Sequence, residues 1–180
     1  MDGTKLQEIL KVYSISSITN QKVDEFCENV SYGGKGKLLR KFEHAIAGKL
    51  IISKQLPLKK ISAKFSKISQ IWERGHGITV LQLFSDCSHH EAHSREFALI
   101  KSLGLNNLTN VVNGTPYGVM TSWNDYEVKN FGKMILYNAL LMCIIEPPRV
   151  IYMEDVTLPK ERASMKDWEL HGILDCFLDL

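Results

Sequence analysis

The sequence predicts an α+β domain in which helices pack on a small sheet of two or three strands. The chain has 180 residues, of which 44% are apolar and 23% charged, and this is enough apolar material for the core of one domain. Apolar residues recur at helical spacing over several long stretches, whereas residues 78–84 (ITVLQLF) alternate and begin with β-branched side chains. The presence of both periods in one chain favours the α+β class.

Helical segments surround one short strand in the first half of the chain. The predicted elements are two helical pieces within residues 1–30, a strand over 29–37 that runs into a glycine-rich turn, and helices over 38–52 and 58–72. Thr19 or Asn20 has a side chain suited to cap the second helical piece. Pro57 separates the last two helices because proline removes a backbone donor and clashes with the preceding turn.

The second half alternates extended and helical segments. The predicted elements are a strand over 78–84, a helix over 89–103, an extended stretch over 108–112, and helices over 124–145 and 165–177. Ser88 precedes the first of these helices as an N-cap residue, and Gly104 follows it as a C-terminal glycine. Residues 134–145 form the most apolar run, but 12 residues are too few for a membrane span, so we expect a core helix.

Cysteine usage and the N-terminal sequence bear on the compartment. The four cysteines are scattered and form no CxxC pair, so a disulfide-stapled secreted scaffold is not expected. The first residues are polar, and no apolar signal region follows them. We therefore expect a soluble protein of a reducing compartment, the nucleus or the cytoplasm.

The net charge of +2 hides two charged regions. Residues 35–74 contain eleven lysines and arginines against two acidic residues, whereas residues 146–180 contain eight acidic and four basic residues. A basic cluster is typical of phosphate binding, although a solvated helix surface has the same composition.

Three stretches are more specific than composition. They are YGGKGK at residues 32–37, with Arg40 and His44 after it; IWERGHG at 71–77; and HSREFALI at 93–100, which leads to NLTN at 107–110 and a closing G-x-x-YG at 114–118. In this order they resemble the GIY-YIG endonuclease superfamily, in the branch of the ankyrin-repeat and LEM-domain endonucleases. The likeness extends over residues 20–150. It implies a small sheet packed by helices that hydrolyses a phosphodiester bond with one divalent ion.

The resemblance also implies catalytic roles. Glu96 would be the metal ligand for Mg²⁺ or Mn²⁺, and Arg40 would hold the phosphate through charge-assisted hydrogen bonds. Tyr32 would orient or help to deprotonate the attacking water, with His44 nearby, one helical turn after Arg40. Without the family resemblance, Glu96 and Arg40 would be interpreted as surface charges and Tyr32 as a packed aromatic residue.

DNA is the partner that the resemblance and the basic region together imply. The basic region would line the DNA groove, with candidate contacts from Lys35, Lys37, Lys41, Lys64 and Lys67. Gly34 and Asn110 would support the site, Asn110 through hydrogen bonds. No motif for a small-molecule cofactor is present.

The first strand of the family is the part that this sequence lacks. Upstream of Tyr32 the candidate is Tyr13, in a stretch that also has helical spacing, and Gly33 replaces the usual apolar strand residue. If Tyr13 supplies the missing phenol, the enzyme is intact. Otherwise the chain is a weak nuclease, or a nucleic-acid-binding or scaffold module.

Two local patterns partly resemble other sites, a phosphate-binding loop and a zinc site. GKGK lacks the GxxxxGK[ST] spacing of a phosphate-binding loop, so nucleotide binding is not expected. Cys87, His89, His90 and His93 lie within seven residues, whereas structural zinc usually takes ligand pairs from two separate segments. A polar turn between strand and helix is therefore favoured over zinc.

The predicted organisation has three parts. Residues 1–30 form an N-terminal helical segment, residues 31–118 a GIY-YIG-like nuclease core, and residues 119–180 a helical extension packed on that core. The favoured function is a metal-dependent endonuclease that acts on branched or distorted DNA. If the chain is part of a longer parent protein, we expect that protein to contain ankyrin or LEM modules.

Overall fold

Six α-helices make up most of the chain that the structure describes. The structure, a computed structural model, describes residues 1–34, 40–53 and 62–158, and the side chains of residues 40–42 are outside that set. In chain order the helices are α1 (Gly3–Leu10), α2 (Asn20–Glu28), α3 (Arg40–Ile52), α4 (Ala63–Glu73), α5 (His89–Leu103) and α6 (Asp125–Ile145). Short 3-10 helices lie at Ile15–Ser17, Leu105–Asn107, Gly118–Ser122 and Met153–Asp155.

The predicted α+β class with a two- or three-stranded sheet is wrong, because the described residues contain neither a strand nor a sheet. Extended segments pair only at single residues: Ile78 forms one antiparallel bridge with Asp2 and another with Ile151. At the second bridge, the N–H of Ile78 donates to the Ile151 carbonyl at 2.9 Å, and the N–H of Ile151 donates back at 2.7 Å. The strand predicted over residues 78–84 is thus reduced to a bridge at its first residue.

The alternation of residue types over 78–84 reflects which side chains are buried. It does not reflect pairing of the backbone with a neighbouring strand. Leu81 and Leu83 pack against a core formed by helices, whereas Val80 and Phe84 are exposed. A helix offers a strand no backbone partner, because its own N–H and C=O groups are already bonded to each other. The predicted strand over residues 29–37 is likewise absent from its described part, residues 29–34.

Helix ends agree with the predicted caps. The side chain of Thr19 accepts a hydrogen bond from the first turn of α2, and Ser88 forms a capping box with Glu91 at the start of α5. Gly104 ends α5 with a φ of 79°, a conformation that glycine adopts without strain. The helices predicted over 89–103 and 124–145 are confirmed, and the one predicted over 165–177 lies outside the described residues.

The largest hydrophobic core joins the N-terminal helices to α6. Its buried residues come from α1, α2 and α6 and from the segment after α1: Leu6, Tyr13, Phe26, Leu136, Ala139, Leu140 and Cys143. Leu99 and Leu103 of α5 pack against this core from one side. A second core lies between α3 and α4 and includes Ile71 and Trp72.

Helices α5 and α6 approach closely at Gly132. A Cβ at that position would lie 2.2 Å from the carbonyl oxygen of Ala98 and 2.2 Å from the hydroxyl oxygen of Ser102. The absent side chain lets the backbone of α6 lie directly against α5. This contact sets the position of α5, the helix that carries Glu96.

Within the described residues, α6 is the one helix long and apolar enough to cross a membrane, judged by length and composition alone. The core helices of water-soluble proteins pass the same test. It contributes four buried residues to the largest core, so packing inside the domain accounts for part of its apolar character, while Met134, Met142 and Ile145 are exposed.

Candidate active site

Residues 31–34, which hold the YGG of the first motif, are held by residues 109 and 110. The N–H of Gly33 donates to Oδ1 of Asn110 at 3.1 Å, and Nδ2 of Asn110 donates to the Gly33 carbonyl at 2.6 Å. The N–H and the hydroxyl of Thr109 both donate to the Ser31 carbonyl, at 2.8 and 2.9 Å. Four hydrogen bonds therefore fix the backbone on either side of Tyr32.

The ring of Tyr32 folds back over Gly34. A Cβ on Gly34 would lie 2.5 Å from the hydroxyl oxygen of Tyr32 and 2.7 Å from its ring carbons, so any larger residue would displace the ring. His44 meets the ring edge-on, with 5.7 Å between ring centroids. The glycine and the histidine together restrict where the phenol can point.

The histidine comes from α3, whose first residue is Arg40. His44 follows Arg40 by four residues, so the two positions lie on the same side of α3, one helical turn apart. The side chain of Arg40 lies outside the described residues, and its predicted convergence with Glu96 stays a prediction.

A lysine ammonium lies above the same phenol. Nζ of Lys64 is 4.8 Å from the centroid of the Tyr32 ring and 5.5 Å from that of Phe65. Lys64 is only 9% exposed. This cation belongs to the Tyr32 cluster rather than to the outer surface, and cation–π attraction favours its place there.

Glu96 is a buried carboxylate on α5, with 7% of its surface exposed. Leu99, one turn further along the helix, lies 3.9 Å from the position of a Cβ on Gly33. Residues three apart share a helix face, so Glu96 lies on the side of α5 that meets residues 31–34. Burial of an ionisable group is costly and requires compensating partners, which makes the position unlike that of an ordinary surface glutamate.

Tyr13 occupies a different environment. It belongs to the largest core, its hydroxyl donates a hydrogen bond to Glu25, and Nζ of Lys22 lies 4.7 Å from its ring centroid. Desolvation, followed by the hydrogen bond to Glu25, raises the pKa of Tyr13 well above its ordinary value. A phenol held in this way is a poor candidate to deprotonate water.

Some of the lysines predicted to contact DNA lie within the residues that the structure describes, and others do not. Lys35 and Lys37 lie outside the described residues, as does the side chain of Lys41. Lys67 is exposed and lines a cleft of about 110 Å³. The other lining residues are basic (Lys5, Arg74), acidic (Asp2, Glu28) and uncharged (Asn29, Val30, Ser31, Ile71, Asn107). The cleft therefore borders the segment that contains Tyr32.

Glu96 offers one carboxylate group to a divalent ion. Across residues 1–34, 40–53 and 62–158, no three His, Cys, Asp or Glu side chains converge as a metal site. A single carboxylate fits Mg²⁺ or Mn²⁺, hard ions that take oxygen ligands and keep several waters. It does not fit a structural zinc ion, which takes four nitrogen or sulfur ligands.

Sequence reasoning missed Thr109 and the site role of Phe65. Thr109 lies in the NLTN run beside Asn110, which is the signal that could have identified it. Phe65 is a buried residue of α4, and it packs against His44 with 5.8 Å between ring centroids.

Comparison with known proteins gives consistent matches. A family model described as LEM-3-like GIY-YIG domain matches residues 2–158. The human Ankyrin repeat and LEM domain-containing protein 1 is 29% identical over 158 residues, which are 87% of this chain and 25% of that protein. The mouse protein of that name is 32% identical over 131 residues, 73% of this chain and 24% of that protein.

A Caenorhabditis elegans homolog is 29% identical over 136 residues, which are 76% of this chain and 19% of that protein. The chain thus spans a quarter or less of the length of these curated relatives. No solved structure gives a significant match.

Proposed function

Because the chain belongs to the family of LEM-3-like GIY-YIG nuclease domains, we propose that it hydrolyses phosphodiester bonds in DNA with one divalent cation. The observation that carries the proposal is the burial of Glu96 on the face of α5 that meets the Tyr32 segment. Branched or distorted DNA is the substrate class that the family resemblance implies.

Glu96 is the proposed ligand of the ion, Mg²⁺ or Mn²⁺. When bound, such an ion polarises the scissile phosphate and stabilises the charge that develops on the leaving oxygen. The protein holds the carboxylate on a helix whose position is set by close packing against α6. A ligand on a rigid element is placed more accurately than one on a loop.

Tyr32 is the proposed group that orients the attacking water. Its backbone is fixed by Asn110 and Thr109, and its ring by Gly34 and His44. Lys64 adds positive potential beside the phenol, which favours a phosphate at this place. Arg40 is proposed to hold that phosphate through a guanidinium fork.

The DNA backbone is proposed to run along the cleft that Lys5, Lys67 and Arg74 line beside Ser31. Lys35, Lys37 and Lys41 are proposed to extend the same basic path. Phosphate contacts by lysine and arginine predict an affinity that falls steeply as salt is added. The relatives are named for ankyrin repeats and a LEM domain, so we propose that this chain also functions beside such modules in a longer protein.

A second candidate function is DNA binding without cleavage. It is favoured by one observation, the hydrogen bond that engages the hydroxyl of Tyr13 with Glu25 instead of a catalytic water. We do not include Tyr13 in the proposed site for the same reason. Loss of a water-activating group slows general-base catalysis by about 10²- to 10⁴-fold.

The test compares Glu96→Gln with Glu73→Gln on an end-labelled four-way junction and on a linear duplex of the same sequence. Both variants remove one negative charge, but Glu73 is exposed at the end of α4. We expect Glu96→Gln to lower the cleavage rate by about 10²- to 10³-fold, because charge stabilisation in the transition state is lost. Glu73→Gln should cleave like the wild type.

Binding is measured in parallel by electrophoretic mobility shift without metal, where both variants should match the wild type. Wild-type cleavage should require Mg²⁺ or Mn²⁺ and should stop with EDTA. Binding without metal-dependent cleavage, unchanged in Glu96→Gln, would establish the second candidate and exclude the nuclease.

A further inference from the structure

Two histidines on one face of α5 bring their ring nitrogens together. Nε2 of His89 and Nε2 of His93 are 3.2 Å apart, and their ring centroids are 4.4 Å apart. The residues are four apart, so they lie on adjacent turns of the same helix face. A nitrogen–nitrogen distance of this size fits either a hydrogen bond between neutral rings or two ligands of one ion.

The distance agrees with the geometry of a transition-metal ion. Zinc binds imidazole nitrogens at about 2.0–2.1 Å, and at a tetrahedral angle two such nitrogens lie about 3.3 Å apart. The Nε2–Nε2 distance is therefore within about 0.1 Å of the required one, and both rings must in addition turn so that their lone pairs meet at the ion. Two histidines four apart on one helix face are a recurrent way to hold such an ion.

The surroundings of the pair restrict the ring of His93 and the helix turn of His89, whose own ring is exposed. The ring centroid of Tyr117 lies 5.4 Å from that of His93. The N–H of Tyr117 donates to the hydroxyl of Ser94 at 2.9 Å, and that hydroxyl donates to the Tyr117 carbonyl at 3.2 Å. The capping box between Ser88 and Glu91 fixes the helix turn that carries His89. Preorganised ligands lose less conformational entropy when an ion binds.

The third histidine of this stretch has another contact. His90 stacks on Tyr117, with ring centroids 4.6 Å apart and planes 19° apart. Both oxygens of Glu91 are also engaged: one accepts from the N–H and hydroxyl of Ser88, and the other faces Arg95 at 3.8 Å. Glu91 is thus not placed to act as the base of a metalloprotease.

We propose that His89 and His93 form a two-histidine site for a borderline transition-metal ion, Zn²⁺, Ni²⁺ or Cu²⁺. No third His, Cys, Asp or Glu ligand joins them in the part of the chain that the structure describes, so water completes the coordination. The site differs from the proposed catalytic site in ligand chemistry, because imidazole selects these ions whereas the carboxylate of Glu96 selects Mg²⁺ or Mn²⁺. It also differs from a four-ligand zinc site in leaving coordination positions open.

Open positions give such an ion a function in substrate binding. A zinc ion with two protein ligands accepts further oxygen ligands, and a phosphate oxygen of DNA is one that this domain would meet if the proposed function holds. The metal-binding proposal itself stands on the histidine geometry and does not depend on nuclease activity.

The test is isothermal titration of the tag-free full chain with ZnCl₂. The variants are His89→Gln, His93→Gln and, as the matched control, His90→Gln, each made also in a Glu96→Gln background. We expect one bound equivalent in the wild type, its loss in either pair variant, and its retention in His90→Gln. The Glu96→Gln background should leave this equivalent unchanged, which separates the site from the proposed catalytic ion.

A titration with CuSO₄ followed by visible absorption gives a second readout, because nitrogen ligands shift the copper d–d band to shorter wavelength. We expect that shift in the wild type and in His90→Gln, and its absence in both pair variants. Circular dichroism confirms that each variant is folded. No bound equivalent in the wild type, or equal loss in His90→Gln, would overturn the proposal.

Discussion

The side chain of Asn110 satisfies both backbone groups of Gly33, as donor and as acceptor. Together with Thr109, which donates twice to the Ser31 carbonyl, Asn110 positions the intervening Tyr32. A side-chain amide can pair with a peptide N–H and C=O at once, in the way that a neighbouring strand would. Asn110 thus substitutes for strand pairing at a place where the structure has none.

Asn110→Ala should lower the free energy of unfolding by about 1–3 kcal/mol, because the N–H and C=O of Gly33 lose their partner. Asn113→Ala is the control, since Asn113 is exposed in the following turn. Both are compared by urea denaturation and by cleavage of the four-way junction. A wild-type stability for Asn110→Ala would show that the two hydrogen bonds are replaced by water at no cost.

The crossing of α5 and α6 is the contact between elements on which the candidate site depends. α5 carries both Glu96 and the histidine pair, and α6 holds it against the largest core. The absence of a side chain at Gly132 allows this crossing. Alanine is otherwise the better helix former by about 1 kcal/mol, so intrinsic propensity and packing oppose each other at this position.

Gly132→Ala should destabilise the protein by about 1–3 kcal/mol, because the new methyl group would overlap the backbone of Ala98. Asn130→Ala tests the propensity term alone on the exposed side of the same helix, and it should be neutral or slightly stabilising. Thermal unfolding followed by circular dichroism gives both values. Stabilisation by Gly132→Ala would mean that the two helices separate without cost.

At the scale of the described molecule, the largest core joins residues that are distant in sequence. Leu6 of α1 and Leu140 of α6 are both fully buried in it, although 134 positions separate them in the sequence. Residues from the predicted N-terminal helical segment 1–30 and from α6, in the predicted extension, therefore share one core with α5. We propose that the three predicted parts unfold together.

Leu6→Ala should lower the free energy of unfolding by about 2–5 kcal/mol while leaving one cooperative transition. Val12→Ala, at a site that is 74% exposed, is the control from the same end of the chain. Far-ultraviolet circular dichroism and tryptophan fluorescence should give the same midpoint in each variant. Two separate midpoints would show that residues 1–30 form an independent unit.

Interactions between residues close in sequence were sufficient to predict the helices, and ordered local motifs were sufficient to predict the family. N-caps such as Thr19 and Ser88 bond to residues two or three positions away, and helical spacing repeats within one turn, so both are visible in a short window of sequence. The ordered motifs around Tyr32, Glu96 and Asn110 predicted the GIY-YIG family, which the family match over residues 2–158 confirms.

A short window of sequence could not predict which residues distant in the chain would contact each other. The alternation of residues 78–84 could not reveal that helices rather than strands cover its inner face, because apolar side chains pack equally well on either. The same limit applies to Tyr13, whose helical stretch could not show that its hydroxyl meets Glu25. It applies as well to Lys64, a predicted DNA contact whose buried position beside Tyr32 its charge could not show. Hydrophobic burial is non-directional, and only the assembled core decides which of several apolar or polar neighbours each side chain meets.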